Sequence, residues 1–287
     1  MNDVSVIGLG SMGGAIASVL LQKGYRVTVW NRSSSKAEAL VKDGAILAPS
    51  VISAVSASPV SIICVSDYKT SYHILDTEDV KSALAGRVLV QLSTGSPKQA
   101  RDNEAWAQEQ GAYYLDGAIV ASPSQIGRPD ATIFTSGSLT AFQQSEPFIK
   151  SLAGNVPYLG EQVSAASSTD LAFLSYLFGS YLGFFHAARI LESDGLHVDD
   201  FGSMIANISP VIGEVMKYES EVIQTETYDN PQSSLNMCMV TIDLLMEQAH
   251  EAGINSAFPV FAESLFKKAL DAGYGEEEVA ALIKVMR

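Results

Sequence analysis

The stretch VSVIGLGSMGGAIASVLLQKGYRVTVW, residues 4–30, decides the fold. Val4 to Ile7 is a short apolar run that breaks into Gly8-Leu-Gly10-Ser-Met-Gly13. Ala15 to Leu21 continues with helical composition as far as Lys23-Gly24, and Arg26 to Trp30 follows as a second strand. Strand, glycine turn, helix and strand make a βαβ unit. Gly-x-Gly-x-x-Gly alone occurs in many ordinary turns, but here it stands between strand and helix, where its chemistry needs it. Gly8 permits the tight turn, Gly10 lets a pyrophosphate approach the backbone, and Gly13 allows close contact between helix and strand. The helix N-terminus then faces the negative charge of a dinucleotide, with Leu9, Ser11 and Met12 completing the loop.

Working outward, the alternation persists. Residues 36–42 read as helix, 60–65 and 87–92 as strands, 97–110 as helix and 112–115 as strand. Strands at 131–135 and 156–159 would close the domain. Such alternation predicts an α/β fold with a parallel, doubly wound Rossmann-type sheet. From about Ser164 every segment reads as helix: an apolar run to Leu191, then 201–223, 235–252, 258–272 and 276–285. We expect a cofactor-binding domain over residues 1–162, a long interdomain helix over 163–192 and an all-helical dimerisation and substrate domain over 193–287.

The end of the second strand selects the dinucleotide. An NAD site usually places an acid there for the ribose 2′-hydroxyl, whereas NADP needs a cation for the 2′-phosphate. This chain has Asn31-Arg32-Ser33, with Lys36 one turn later, and no acid. Arg32 can fork onto a phosphate while Ser33 and Lys36 add donors, so NADPH is the expected cofactor. The same residues also suit a solvated helix start with serine caps. The other strand ends, Val65-Ser66-Asp67, Ser93-Thr94-Gly95 and Asp116 to Ser124, are expected to line the nicotinamide crevice or to serve as polar turns.

Composition bounds the alternatives. The chain has 287 residues, 47% of them apolar and 17% charged, which is ordinary for two globular domains. Its two cysteines, Cys64 and Cys238, lie apart from any Cys or His cluster, so neither a disulfide framework nor a metal site is expected. The formal charge of −14 opposes nucleic-acid binding and is uneven. Residues 1–191 carry 15 acidic and 13 basic side chains; residues 192–287 carry 17 and 5. The nearly neutral half keeps Lys23, Arg26, Arg32, Lys36 and Lys42 for a polyanionic cofactor, and the acidic half serves solubility or attracts a cationic substrate. The N-terminus lacks the basic segment of a signal peptide, giving a cytoplasmic expectation. Leu171 to Ala188 runs 18 residues without a formal charge, near the lower limit for a membrane span. Ser175, Ser180 and His186 interrupt it, and we expect instead a helix buried on all sides, sheathed by the partner chain of a homodimer.

At this point the residues resemble a family. Gly8-Leu-Gly-Ser-Met-Gly13, Trp30-Asn-Arg-Ser33 and Thr94-Gly-Ser-Pro97 are similar to the β-hydroxyacid dehydrogenase and 6-phosphogluconate dehydrogenase superfamily. More narrowly, the block from Tyr114 to Gly127, Tyr158-Leu-Gly-Glu161, Thr169-Asp-Leu-Ala172 and Ala252-Gly-Ile254 resemble the imine reductases, over essentially the whole chain. The resemblance implies hydride transfer from NADPH to the carbon of a C=N bond.

Asp170 carries the distinction. Hydroxyacid dehydrogenases resemble one another in a catalytic Lys near the start of the interdomain helix and an Asn four residues later. The corresponding positions here are Asp170 and Leu174. The Asp-bearing imine reductases share the carboxylate, which would stabilise an iminium cation; apolar walls from Leu171, Leu174, Leu177 and Phe178 would raise its pKa towards proton donation while a helix N-terminus would lower it, so an ion-pair role is expected ahead of proton donation. Without the resemblance, Asp170 reads first as an acid that complements the helix dipole. The resemblance also implies a substrate pocket from Ile119, Ala121, Ser122, Leu174 and Phe178, with Met237 and Cys238 reaching over from the partner chain. Two other classes stay open: a hydroxyacid or small-aldehyde reductase that replaces the missing Lys from elsewhere, and a non-catalytic NADPH-binding protein.

Overall fold

The computed structural model describes residues 3–287. It divides into two compact units, one running through Ser175 and the other spanning Tyr176–Arg287. In the first unit β1 (Val4–Ile7), α1 (Ser11–Gln22) and β2 (Val27–Trp30) form the opening βαβ. Then come α2 (Glu38–Lys42), β3 (Ile46–Leu47), α3 (Val51–Ala57), β4 (Val60–Ile63), α4 (Tyr68–Leu75) and α5 (Glu78–Ala83). The unit continues with β5 (Val88–Gln91), α6 (Pro97–Glu109), β6 (Tyr113–Val120), β7 (Thr132–Gly137), α7 (Leu139–Leu152) and the start of α8 (Ser164–Ser193).

The seven strands lie in the order β3-β2-β1-β4-β5-β6-β7. The chain reverses direction across the sheet between β1 and β4, and their carboxyl ends open the crevice in which doubly wound folds bind ligands. Alternate residues serve the two faces: Val6, Ile62 and Val90 pack on the side of α1 and α7, while Ile7, Ile63 and Leu89 face the side of α3. All six are essentially inaccessible, as strands buried on both faces require.

Three expectations about this sheet need correction. β7 runs antiparallel to β6, so the last pairing is not parallel. The stretch 156–159 is no regular strand; it meets β7 through a single bridge at Tyr158 and a few hydrogen bonds, among them the Tyr158 hydroxyl donating to the Gly137 carbonyl at 2.7 Å. The strand expected at 112–115 runs on to Val120, because Asp116 and Gly117 are followed by further apolar residues that pair with β7. Asp116 therefore sits inside a central strand and not in a terminal turn.

The second unit contains the rest of α8, then α9 (Val198–Thr225), α10 (Leu235–Glu251) and α11 (Ala257–Asp271). Its closing segment, Val279–Val285, is a 3-10 helix where an α-helix was expected. A small core of Val222, Tyr228, Leu235, Ala269 and Ala281 holds it together. Glu278 is buried there and accepts hydrogen bonds from the Gln232 and Ser233 amides at 2.7 and 3.2 Å. These bonds satisfy the carboxylate and pin the loop that leads into α10.

The expected burial of α8 on all sides is not found within one chain. Phe178, Leu182 and Phe185 are 60–62% exposed, and on α9 Met204 and Val211 are similarly bare. α8 has the length and composition of a membrane-crossing helix, and it alone among the described residues.

Candidate functional site

The crevice at the switch point is a cleft of about 850 Å³. Gly8 to Gly13 line one wall, Asn31, Arg32, Ser33 and Lys36 a second, and Val65 and Ser66 a third. Twelve of the expected cofactor residues thus converge. The glycines do what their spacing implies. Gly8 has φ +99°, and a Cβ there would lie 2.2 Å from the Cys64 carbonyl oxygen. A Cβ on Gly13 would lie 2.0 Å from the Gly8 carbonyl oxygen, so α1 can approach β1 only without a side chain. At Gly10 nothing stands within 4 Å, which leaves the backbone open to a ligand.

Gly10 is the N-cap of α1 and offers no side chain to the first turn, so those amides face the cleft for an anion. Asn31 has a different task from direct phosphate binding: its Oδ1 accepts from the Leu9 amide at 2.9 Å and its Nδ2 donates to the Ser33 carbonyl at 3.0 Å. It ties the glycine loop to the end of β2. Arg32 and Lys36 are exposed and make no ion pair among the described residues, whereas Arg26 is engaged by Asp3 at 3.2 Å. Two free cations beside a side-chain-free helix N-terminus fit a dinucleotide with an extra phosphate.

Asp67, Ser93, Thr94 and Gly95 do not line this cleft. Asp67 caps α4, accepting from the Thr70 amide at 2.6 Å, and that bond holds its carboxylate below the ordinary range. Ser93 is buried and its hydroxyl accepts from the Val65 amide at 3.0 Å, bracing β4 against β5. Thr70, His73 and Ile74 line the cleft unforeseen. Their spacing of three and four residues is one face of α4, a helix announced in the sequence only by its Asp67 cap.

Asp170 lies on the seventh residue of α8, beyond the first turn, and is 8% exposed. The expected lowering of its pKa by the helix N-terminus does not operate, since that influence fades within the first turn. Burial instead raises it. Leu174 follows one turn on, half-buried. Ile119, near the end of β6, and Ala121, just beyond it, are half-buried against the core. Ser122 caps a short 3-10 turn, its hydroxyl bonding Gln125 at 2.8 Å.

The remaining pocket candidates belong to the second unit. Phe178 makes an edge contact with Tyr181 at 6.1 Å, Met237 is 66% exposed, and Cys238 lies beside the Ser233 hydroxyl at 3.3 Å. Among the described residues no group of three His, Cys, Asp or Glu side chains could hold a metal.

Comparison with known proteins gives this geometry a context. Residues 3–160 match the NAD binding domain of 6-phosphogluconate dehydrogenase, and residues 162–287 match the NADPH-dependent reductive aminase-like C-terminal domain. The NADPH-dependent reductive aminase of Aspergillus oryzae is 32% identical over 99% of this chain and 97% of its own length. Among solved structures, the imine reductase from Myxococcus stipitatus in complex with NADP+ superposes with a TM-score of 0.92 at 33% identity, covering 99% of this chain and 100% of that one. The reductive aminase from Aspergillus terreus, in complex with NADPH4, cyclohexanone and allyl amine, gives 0.91 at 31% identity, covering 100% and 99%. With full-length relatives at this identity and a cleft shaped for the same dinucleotide, the chain belongs to the family of NADPH-dependent imine reductases and reductive aminases.

Proposed function

We propose that this chain reduces imines, cyclic ones included, using a buried carboxylate to hold the cationic form of the substrate. The observation that carries the proposal is Asp170, a nearly buried acid on α8 at the position where hydroxyacid dehydrogenases resemble one another in a lysine. NADPH, when bound, supplies the hydride for the imine carbon. The chain's own residues do the rest. The glycine loop and the first turn of α1 hold the pyrophosphate, and Arg32, Ser33 and Lys36 grip the 2′-phosphate. Asp170 pairs with the nitrogen as an iminium, which makes the carbon electrophilic; its raised pKa also brings proton donation within reach. Ile119, Ala121, Ser122 and Leu174 contribute pocket walls, with residues 1–162, 163–192 and 193–287 assigned to cofactor binding, the interdomain helix and dimerisation.

The active form is a homodimer in the cytoplasm. Exposed Leu182 and Phe185 on α8 and Met204 and Val211 on α9 make an apolar surface that water does not favour and that a second copy would cover. Met237 and Cys238 would then complete the partner's pocket. Reductive amination of a carbonyl with an amine is the same hydride step preceded by condensation.

The deciding experiment is a panel of NADPH oxidation with 2-methyl-1-pyrroline, glyoxylate, succinic semialdehyde and no substrate. Turnover on the imine is expected. Turnover on the aldehydes alone would assign the aldehyde reductase, and tight NADPH binding with neither would assign a cofactor-binding protein without chemistry.

A further inference from the structure

We propose that Gln91 is a positioning residue for the cofactor: from the buried end of β5 its side-chain amide holds α4 at Ser71, and through that helix it sets the wall of the cleft that receives the adenosine half of NADPH. This role in NADPH binding is independent of the imine chemistry proposed above.

Val88, Leu89 and Val90 are the apolar residues that a central strand requires, and a fourth would extend the same core. Gln91 stands there instead, 1% exposed, between Ile63 of β4 and Asp116 of β6. A buried amide is costly unless its hydrogen bonds are made, and here they are. Its Oε1 accepts from the Ser93 amide at 3.1 Å, and its Nε2 donates to the Ser71 hydroxyl at 2.8 Å. Only the oxygen of the side chain can meet the Ser93 donor, so the nitrogen has to face α4. The Ser93 hydroxyl in turn accepts from the amide of Val65, which lines the cleft. One buried chain of bonds therefore joins α4, β5 and the end of β4.

α4 has eight residues and presents two faces. Tyr68, Ser71 and Leu75 are buried, while Thr70, His73 and Ile74 line the cleft. A helix of two turns moves as one piece, so whatever fixes the first face aims the second. Leu75 packs in the apolar core with Leu84 and Leu89, a contact without direction. Direction comes from two hydrogen bonds: the Tyr68 hydroxyl to the Asp116 carboxyl, and Gln91 to Ser71. The first lies at the tip of a long side chain. The second is made one carbon from the backbone, and so holds the helix against rotation more tightly.

The pyrophosphate belongs at the first turn of α1 and the 2′-phosphate at Arg32 and Lys36, which places the adenosine between them. Thr70, His73 and Ile74 line that same cleft, whereas Ser93, Thr94 and Gly95 beyond β5 do not. The α4 face is thus the wall of the adenosine half, with Ile74 and His73 offering the base an apolar and an aromatic surface.

Calorimetric titration of NADPH and of adenosine 2′,5′-bisphosphate into the full chain, with thermal unfolding alongside, tests this role. Ser71→Ala deletes one hydroxyl and leaves the bond between Gln91 and Ser93 in place. Both Kd values should rise by the same factor, about fivefold, the worth of one buried hydrogen bond. The KM for NADPH should rise with them, while kcat at saturating NADPH stays as it was. Gln91→Met, which removes the link from the other side, should raise both Kd values at least as much, and adding Ser71→Ala to it should change little. In an Ile74→Ala protein, whose wall is already cut back, Ser71→Ala should cost less than about twofold. A residue that only fills the core would lower the unfolding temperature and leave both Kd values where they are. Unaltered Kd values in folded Ser71→Ala, a loss for NADPH that adenosine 2′,5′-bisphosphate does not share, or losses that add in full across Ser71 and Ile74 overturn the proposal. The expected losses of affinity in an enzyme that turns over no imine keep Gln91 in its role and remove the imine reductase reading.

Discussion

Replacing Asp116 by Asn should change how stability depends on pH, by an amount that follows from its burial. The carboxyl titrates near 3.8 when unfolded and near about 7 in the fold. Between those values the native state holds a proton that the unfolded chain has released. Stability therefore falls as pH rises from about 4 to about 7, at roughly 1.4 kcal/mol per pH unit, and levels off above the native pKa. The total is about 4 kcal/mol, a large share of the 5–15 kcal/mol that roughly bounds a domain's stability. An asparagine cannot titrate, so Asp116→Asn should lose this slope while carrying a constant offset from its imperfectly paired amide. Urea unfolding at pH 5, 6, 7 and 8 on both proteins checks it, with the difference between the two curves as the observable, because groups that do not interact with Asp116 cancel. Parallel curves across that window would refute a proton held on Asp116.

Further outcomes follow from the same geometry. Gly13→Ala should destabilise the first unit by at least about 3 kcal/mol and abolish NADPH binding, since the new Cβ meets the Gly8 carbonyl; fluorescence titration and thermal unfolding measure both. Arg32→Ala should reduce the preference for NADPH over NADH by about tenfold or more, and an unchanged ratio of kcat/KM values would remove Arg32 from the phosphate grip. Asp170→Asn should lower imine turnover by about 100-fold or more while leaving the NADPH Kd unaltered. Phe185→Glu, on the exposed face of α8, should yield a monomer by sedimentation; a dimer of unchanged affinity would place the interface elsewhere.

Local chemistry made the cofactor half legible. Gly8, Gly10 and Gly13 between an apolar run and a helix fix a phosphate loop because only backbone can occupy those positions, and Arg32 after β2 is a strand-end residue whatever surrounds it. The acid at position 170, where the resemblance to hydroxyacid dehydrogenases implies a lysine, was equally plain, being a question of which residue occupies one helical position. Asp116 was different. It reads as a polar turn because it follows four apolar or aromatic residues and precedes a glycine, and nothing within the sequence says that β7 will return to cover it.

The sequence by itself thus determined the βαβ order, the dinucleotide loop, the helical second half and the acid on α8, since each depends on residues adjacent along the chain or one helical turn apart. Tertiary structure alone decided that Asp67 and Asn31 spend their polar groups on a cap and a loop tether, that Asp170 lies too far along its helix for the dipole to lower its pKa, and that Asp116 is sealed under Tyr68. Those outcomes depend on which groups from distant segments displace water from one another. A carboxyl's charge is set by that neighbourhood and not by its place in the sequence.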